Sequence, residues 1–152
     1  MTVRQARLAF TLLRTVRLPR RVIGPAELEA LAGFTLRCEK VAGACELTLD
    51  LTNHSRIQAL NRRFRGVDRT TDVMAFRYHS RPHLQGDIAI NVQQAKAQAA
   101  KFNNPLPREI RLLLIHGILH LLDYTDYDPA PRRRMFKRQN AILRRWERRD
   151  AP

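Results

Sequence analysis

The stretch "PREIRLLLIHGILHLL", residues 107–122, constrains this chain more than any other. It opens on Pro107, whose fixed φ and missing N–H suit the first turn of a helix, and it is the longest apolar helix that the sequence predicts. It falls short of the ~20 apolar residues that a membrane span requires, so the helix belongs inside a soluble globular fold. Two histidines, His116 and His120, sit four apart within it. Side chains at i and i+4 lie one above the other on a helix face, so both imidazoles can reach one cation with no rearrangement of a loop.

The flanking segments supply a sheet for this helix to pack on. "CELTLDLT" (45–52) alternates strictly, Leu47, Leu49 and Leu51 on one face and Thr48, Asp50 and Thr52 on the other, as a half-buried strand does. "ARLAFTLLRTV" (6–16) reads as a first strand, and "DVMAFRY" (72–78) and "GDIAINV" (86–92) as two more, with "HSRPHLQ" (79–85) as the turn between them. Helices are predicted over "GPAELEALAGFTLRCEKV" (24–41), "SRIQALNRRF" (55–64, closed by Gly66), "QQAKAQAAKF" (93–102) and "RRRMFKRQNAILRRW" (132–146). The order β-α-β-α-β-β-α-α-α predicts an α+β fold. Residues 1–152 would form a single domain, a mixed sheet of about four strands packed with about five helices, including a zincin-like metal helix.

Charge narrows the partner class. Lys and Arg number 28 against 14 Asp and Glu, a formal net charge of +14, and such an excess attracts polyanions through counterion release. RNA or DNA is the first expectation and an anionic membrane surface the second. Cys38 and Cys45, with no second pair, make neither a zinc knuckle nor a disulfide framework and read as idle thiols in a reducing cytosol. The opening "MTVRQARLAFTLLRTVRLPRR" is Arg-rich, but its apolar part is short for a signal peptide and no small-residue cleavage site follows, so a basic first strand is expected.

A catalytic zinc site usually has three protein ligands and a water, so two histidines need a third group. Asp126 lies ten residues after His116, past the expected helix end, and its carboxylate is a legitimate ligand. Asp123, seven residues after His116, shares the helical face of both histidines if the helix continues through it, and both aspartates remain candidates. Metalloproteases of the HExxH type place a general base directly after the first histidine. Here that residue is Gly117, which disfavours a peptidase.

"HGILHLLDYTD" (116–126) resembles the HGxLHLxGYDH signature of the YbeY family of bacterial endoribonucleases. "ALNRRFRGVDRTTDVMAF" is similar to that family's LNxxYRxxDxPTDVLSF, "GDIAI" to its GDIxI, and "MFKRQNAIL" to its MfxxQexIl, all in the same order. The resemblance runs from about Leu47 to Leu143. It implies that His116 and His120 are metal ligands, that Asp126 stands where the family has a histidine, and that Arg65 is an arginine near the metal implicated in activity. Asp123 replaces the family's helix-ending glycine, and Thr125 an aspartate. An Asp in place of His makes the site harder and one unit more negative, which lowers the acidity of a bound water. Thr71, Asp72 and Asp87 would be supporting or turn-forming groups.

The resemblance implies a cytoplasmic, zinc-dependent endoribonuclease, one ion per chain, that hydrolyses single-stranded RNA in 16S ribosomal RNA maturation and ribosome quality control. Its partners would be precursor RNA, the ribosome or its 30S subunit, and ribosomal proteins. The basic last helix, with Arg132, Arg133, Arg134, Lys137, Arg138, Arg144 and Arg145, would contact phosphates without reading sequence. Two alternatives remain at this stage: a non-catalytic RNA-binding ribosome-assembly factor with a structural metal, and a different metal hydrolase on the same scaffold.

Overall fold

A computed structural model describes residues 5–80 and 82–149; the expectations that touch residues 1–4, Arg81 and residues 150–152 lie outside it. The elements are β1 (Ala6–Arg14), α1 (Pro25–Cys38), β2 (Gly43–Thr52), α2 (His54–Arg65), β3 (Val73–His79), β4 (Leu84–Asn91), α3 (Val92–Lys101), α4 (Leu106–Leu121) and α5 (Pro129–Arg148). They follow the expected order and make an α+β fold. The sheet runs β1-β2-β4-β3, with β1 and β4 parallel to β2 and β3 antiparallel at one edge.

The alternation of β2 decides which face carries the main core. Leu47, Leu49 and Leu51 are buried together with Ile88 and Ile90 of β4, against residues of α1, α4 and α5. Each such side chain contributes about 1.5–3 kcal/mol when fully buried. The opposite face carries a smaller cluster, Ile57 of α2 with Met74 and Ala89. Asp50 lies on that face, buried but satisfied, accepting hydrogen bonds from Thr15 Oγ1 (3.1 Å) and Arg56 Nε (3.3 Å).

The central helix α4 is buried almost all round, as an apolar helix must be. Two glycines let it approach the sheet. A Cβ on Gly117 would lie 2.8 Å from Ile88 Cγ2, and one on Gly86 would lie 2.9 Å from both Leu121 methyls. Position 117 therefore faces β4, and a glutamate there would meet Ile88 before any substrate. No described helix is long and apolar enough to cross a membrane.

Several boundaries differ from the sequence expectation, each for a local reason. The helix α5 begins at Pro129 rather than Arg132, because prolines are tolerated in a first turn whose N–H groups have no helical partner. Val92 opens α3 instead of closing β4, since the Asn91 side chain accepts from Gln94 N and caps the helix. The turn expected over 79–85 is shorter: His79 and Gln85 are ladder partners, and the register shifts between Arg77 and His79. The first helix stops at Cys38, three residues before Val41, with Lys40 at φ 57°. The basic first strand is present over Ala6–Arg14, and both cysteines are free.

Candidate metal centre

The site is built by the way α4 ends. Asp123 takes a left-handed conformation, φ 73°, while its N–H donates to His120 O (3.2 Å) and that of Tyr124 to Leu119 O (3.0 Å). This pair of bonds is the Schellman closure, which Asp tolerates better than most non-glycine residues. The chain then turns back across the face that carries the histidines and delivers Asp126 to them. His116 Nε2 and His120 Nε2 are 3.1 Å apart, and Asp126 Oδ2 lies 3.4 Å from the first and 3.5 Å from the second. Asp123 points away, 77% exposed, and pairs with Arg77 Nη1 at 2.7 Å. The structure thus brings Asp126, not Asp123, to the histidines.

The hydrogen bonds behind the imidazoles set their tautomers. His116 Nδ1 donates to Gln139 Oε1 (2.6 Å) and His120 Nδ1 to the carbonyl of Tyr124 (3.1 Å). Carbonyl oxygens only accept, so each Nδ1 carries the proton and each Nε2 presents a lone pair. Two lone pairs and a carboxylate oxygen then face one another, an arrangement that is repulsive without a cation between them. Burial, and next the neighbouring His116, push the His120 imidazole below its ordinary pKa, so the ring is held neutral as a ligand must be. Zinc bonds of ~2.0–2.1 Å in a tetrahedral site separate donors by about 3.3 Å, close to the three distances found. The donor set fits a divalent ion.

Around these atoms opens a polar cleft of about 380 Å³, with Arg65, Thr71 and Asp72 on one wall and residues 123–127 on the other. Arg65 closes α2, held there by the left-handed cap Gly66 (φ 66°), and forms no ion pair among the described residues. Asp72 accepts from Val73 N (2.8 Å) and Gln98 Nε2 (3.2 Å), which fixes the lip of this wall. Asp87 is not part of the cleft. It accepts from the Tyr78 hydroxyl (2.8 Å) and lines a separate hollow with Asp50 and Phe64.

Sequence reasoning missed the partners that come from far along the chain. Gln139 lies inside the quoted "MFKRQNAIL", but nothing local shows that it faces His116. Arg132 Nε donates to the Asp126 carbonyl (3.2 Å), while Glu39 binds both Arg138 and the Tyr124 hydroxyl, tying α1 and α5 to the ligand turn. Pairings that span up to about a hundred residues of chain carry no local signal.

Two predictions arise here. Glycine fits the left-handed position 123 without strain, and an exposed ion pair is worth about 0–1 kcal/mol. Asp123→Gly is therefore expected to keep urea stability within about 1 kcal/mol of the parent and to retain the bound ion, whereas Asp126→Ala loses it. An Asp123→Gly protein that loses the ion would return Asp123 to the ligand set.

Glu109 sits on α4 two turns before His116, 5% exposed, and its carboxylate accepts no hydrogen bond among the described residues. Burial first, and then the Asp72 charge, push its carboxyl above the ordinary value. With the pKa raised, the native state holds its proton more tightly than the unfolded chain. This contribution is fully present below the unfolded pKa and is lost as pH rises through the folded one. Glu109→Gln should therefore melt higher than the parent at pH 7, with the gap closing toward pH 4; a gap that is constant with pH would show that titration is not its cause.

Comparison with known proteins gives one consistent family. The sequence profile described as endoribonuclease YbeY matches residues 25–147. A Bacillus licheniformis protein named endoribonuclease YbeY is 35% identical over 133 residues, 80% of this chain and 84% of that one. A Chloroflexus aurantiacus protein of the same name is 37% identical over 140 residues, 84% of this chain and 91% of its own. The solution structure of TM1509 from Thermotoga maritima shares the fold at a TM-score of 0.64, covering 93% of this chain and 94% of that one at 23% identity. Four ordered motifs, a profile spanning α1 to α5 and relatives aligned over most of their length agree: the chain belongs to the endoribonuclease YbeY family.

Proposed function

We propose that residues 1–152 act as one catalytic domain, a zinc-dependent endoribonuclease that hydrolyses phosphodiesters of single-stranded RNA. The observation that carries this reading is the convergence of His116 Nε2, His120 Nε2 and Asp126 Oδ2 in a cleft that Arg65 also lines. His116, His120 and Asp126 would hold the ion and Gln139 would orient His116. A bound zinc supplies a Lewis acid for the phosphoryl oxygen and a water acidified toward neutrality. Arg65 binds the scissile phosphate and stabilises the negative charge that develops on it. Precursor small-subunit ribosomal RNA is the substrate this reading assigns, in maturation and in quality control on the ribosome, with ribosomal proteins as partners and the cytoplasm as the compartment. The net charge of +14 supports a polyanionic substrate.

The test is elemental analysis of the purified protein, paired with an anomalous difference map. One zinc per chain bonded to His116, His120 and Asp126, with ion-dependent cleavage of single-stranded RNA, is expected. A protein that binds RNA, loses melting temperature on His120→Ala and keeps both RNA affinity and cellular function would instead be an assembly factor with a structural metal.

A further inference from the structure

We propose that α5 is a track for the substrate strand. In it Phe136 stacks one unpaired base beside the metal cleft, and a row of side chains, Arg133, Lys137, Asn140, Arg144 and Arg148, holds the phosphates of the strand that continues away from it. This deepens the reading of the chain as an enzyme acting on single-stranded RNA and rests on that reading.

The buried side of α5 is Met135, Gln139, Ile142, Leu143 and Trp146. Phe136 lies at its edge, 42% exposed, with its ring centroid 6.1 Å from that of His116. An apolar ring that borders the site and still shows much of its surface to solvent can present a π-face to a base, an interaction that tolerates any sequence.

The row follows from helical geometry. At about 100° per residue, positions 133, 137, 140, 144 and 148 fall within an arc of roughly 80°. They climb about 22 Å along the axis in steps of about 4.5–6 Å, on the scale that separates successive phosphates of an extended strand. All five residues are exposed.

What distinguishes these cations is that the fold does not use them. Arg132 holds the Asp126 carbonyl, Arg138 is bound by Glu39, and Arg145 lies over the Phe34 ring at 5.9 Å. By contrast Arg133, Lys137, Arg144 and Arg148 have no ion pair among the described residues. The single acid within α5, Glu147, is taken by Arg108 at 2.8 Å. Like charges at i and i+4, as at 133/137 and 144/148, repel on an isolated helix. A polyanion laid along the row removes that repulsion and releases its counterions. A duplex keeps its bases stacked inside and has none to offer Phe136, so the occupant is a single strand, positioned by its backbone rather than read.

The experiment compares a short oligoribonucleotide that fills only the cleft with one long enough to run the length of α5, on the metal-loaded full chain. The variant R133Q/K137Q/R144Q/R148Q is expected to lose the affinity advantage of the long strand. Its slope of log affinity against log salt should fall by about 2.8, at about 0.7 for each single-strand phosphate that the variant no longer neutralises. Phe136→Ala is expected to weaken binding about tenfold, and Phe136→Trp to restore it. An abasic nucleotide at the stacking position should cost the parent the same tenfold and the alanine variant nothing further. A parent that binds RNA while the quadruple variant keeps the parental salt slope and length advantage overturns the track and leaves the enzyme reading standing. A parent that binds neither strand overturns both. Because the four exchanged cations are exposed, the thermal melt of the quadruple variant should match the parent.

Discussion

Replacing His116 with alanine is expected to abolish both the bound ion and RNA cleavage. The change leaves His120 and Asp126, one ligand fewer than a catalytic zinc ordinarily has from protein. The ion's polarising and water-activating effects are worth several kcal/mol at the transition state, so a loss of ~10³-fold or more in kcat/KM is expected. Stability should fall as well, because Gln139 Oε1 loses its buried donor. For that reason the informative companion is Asp126→His, at a position on the surface-facing turn. It restores the three-histidine set that the family signature carries and removes one negative charge from the site. Zinc should bind more tightly, and the rising limb of the pH–rate profile should move to lower pH as the bound water becomes more acidic. Full metal content and cleavage in His116→Ala, or a profile that moves upward in Asp126→His, would sink the ligand assignment.

Arg65→Ala carries the second large effect, and it separates chemistry from metal binding. Arg65 is exposed, ends its helix and forms no ion pair among the described residues, so its removal should leave stability within about 0.5 kcal/mol of the parent. The ion should remain at one per chain. Cleavage, however, should drop by about 10²–10³-fold, the scale seen when a preorganised donor to a developing negative charge is removed. Arg65→Lys should recover part of this through charge alone, since an ammonium lacks the planar fork that matches phosphate oxygens. A kcat unchanged in Arg65→Ala would reduce this arginine to a solvated helix end.

Much of this was legible in the sequence because it is written at short range. Gly66 at the end of α2 and the i, i+4 histidines each express a local rule and appear in the structure as expected, while α4 opens on Leu106, one residue before Pro107, and β2 keeps its alternation but buries Asp50 and Thr52 on its second face as well. The choice between Asp123 and Asp126 stayed open because it depends on one backbone angle. Only the left-handed φ of Asp123, with the hydrogen bonds that accompany it, turns the chain back. The proton on each histidine was not legible, since Gln139 acts on His116 from another helix and Tyr124 acts on His120 through its backbone. Nor was the exposure of Phe136, which depends on how α5 is rolled against α4.

All three donor atoms of the cleft come from eleven consecutive residues, His116 to Asp126. Closing so short a segment costs little chain entropy, which rises only with the logarithm of loop length. An unfolded or half-folded chain is therefore expected to keep part of its affinity for a divalent ion, without the orientation that Gln139, Arg132 and Glu39 give the donors in the native state. Ligand that is also held by the unfolded state stabilises the native one by less than its native affinity alone would give. Added zinc should accordingly shift the unfolding midpoint less than its measured dissociation constant implies. The ion would then serve as an early organiser of the last third of the chain as well as the centre of its chemistry.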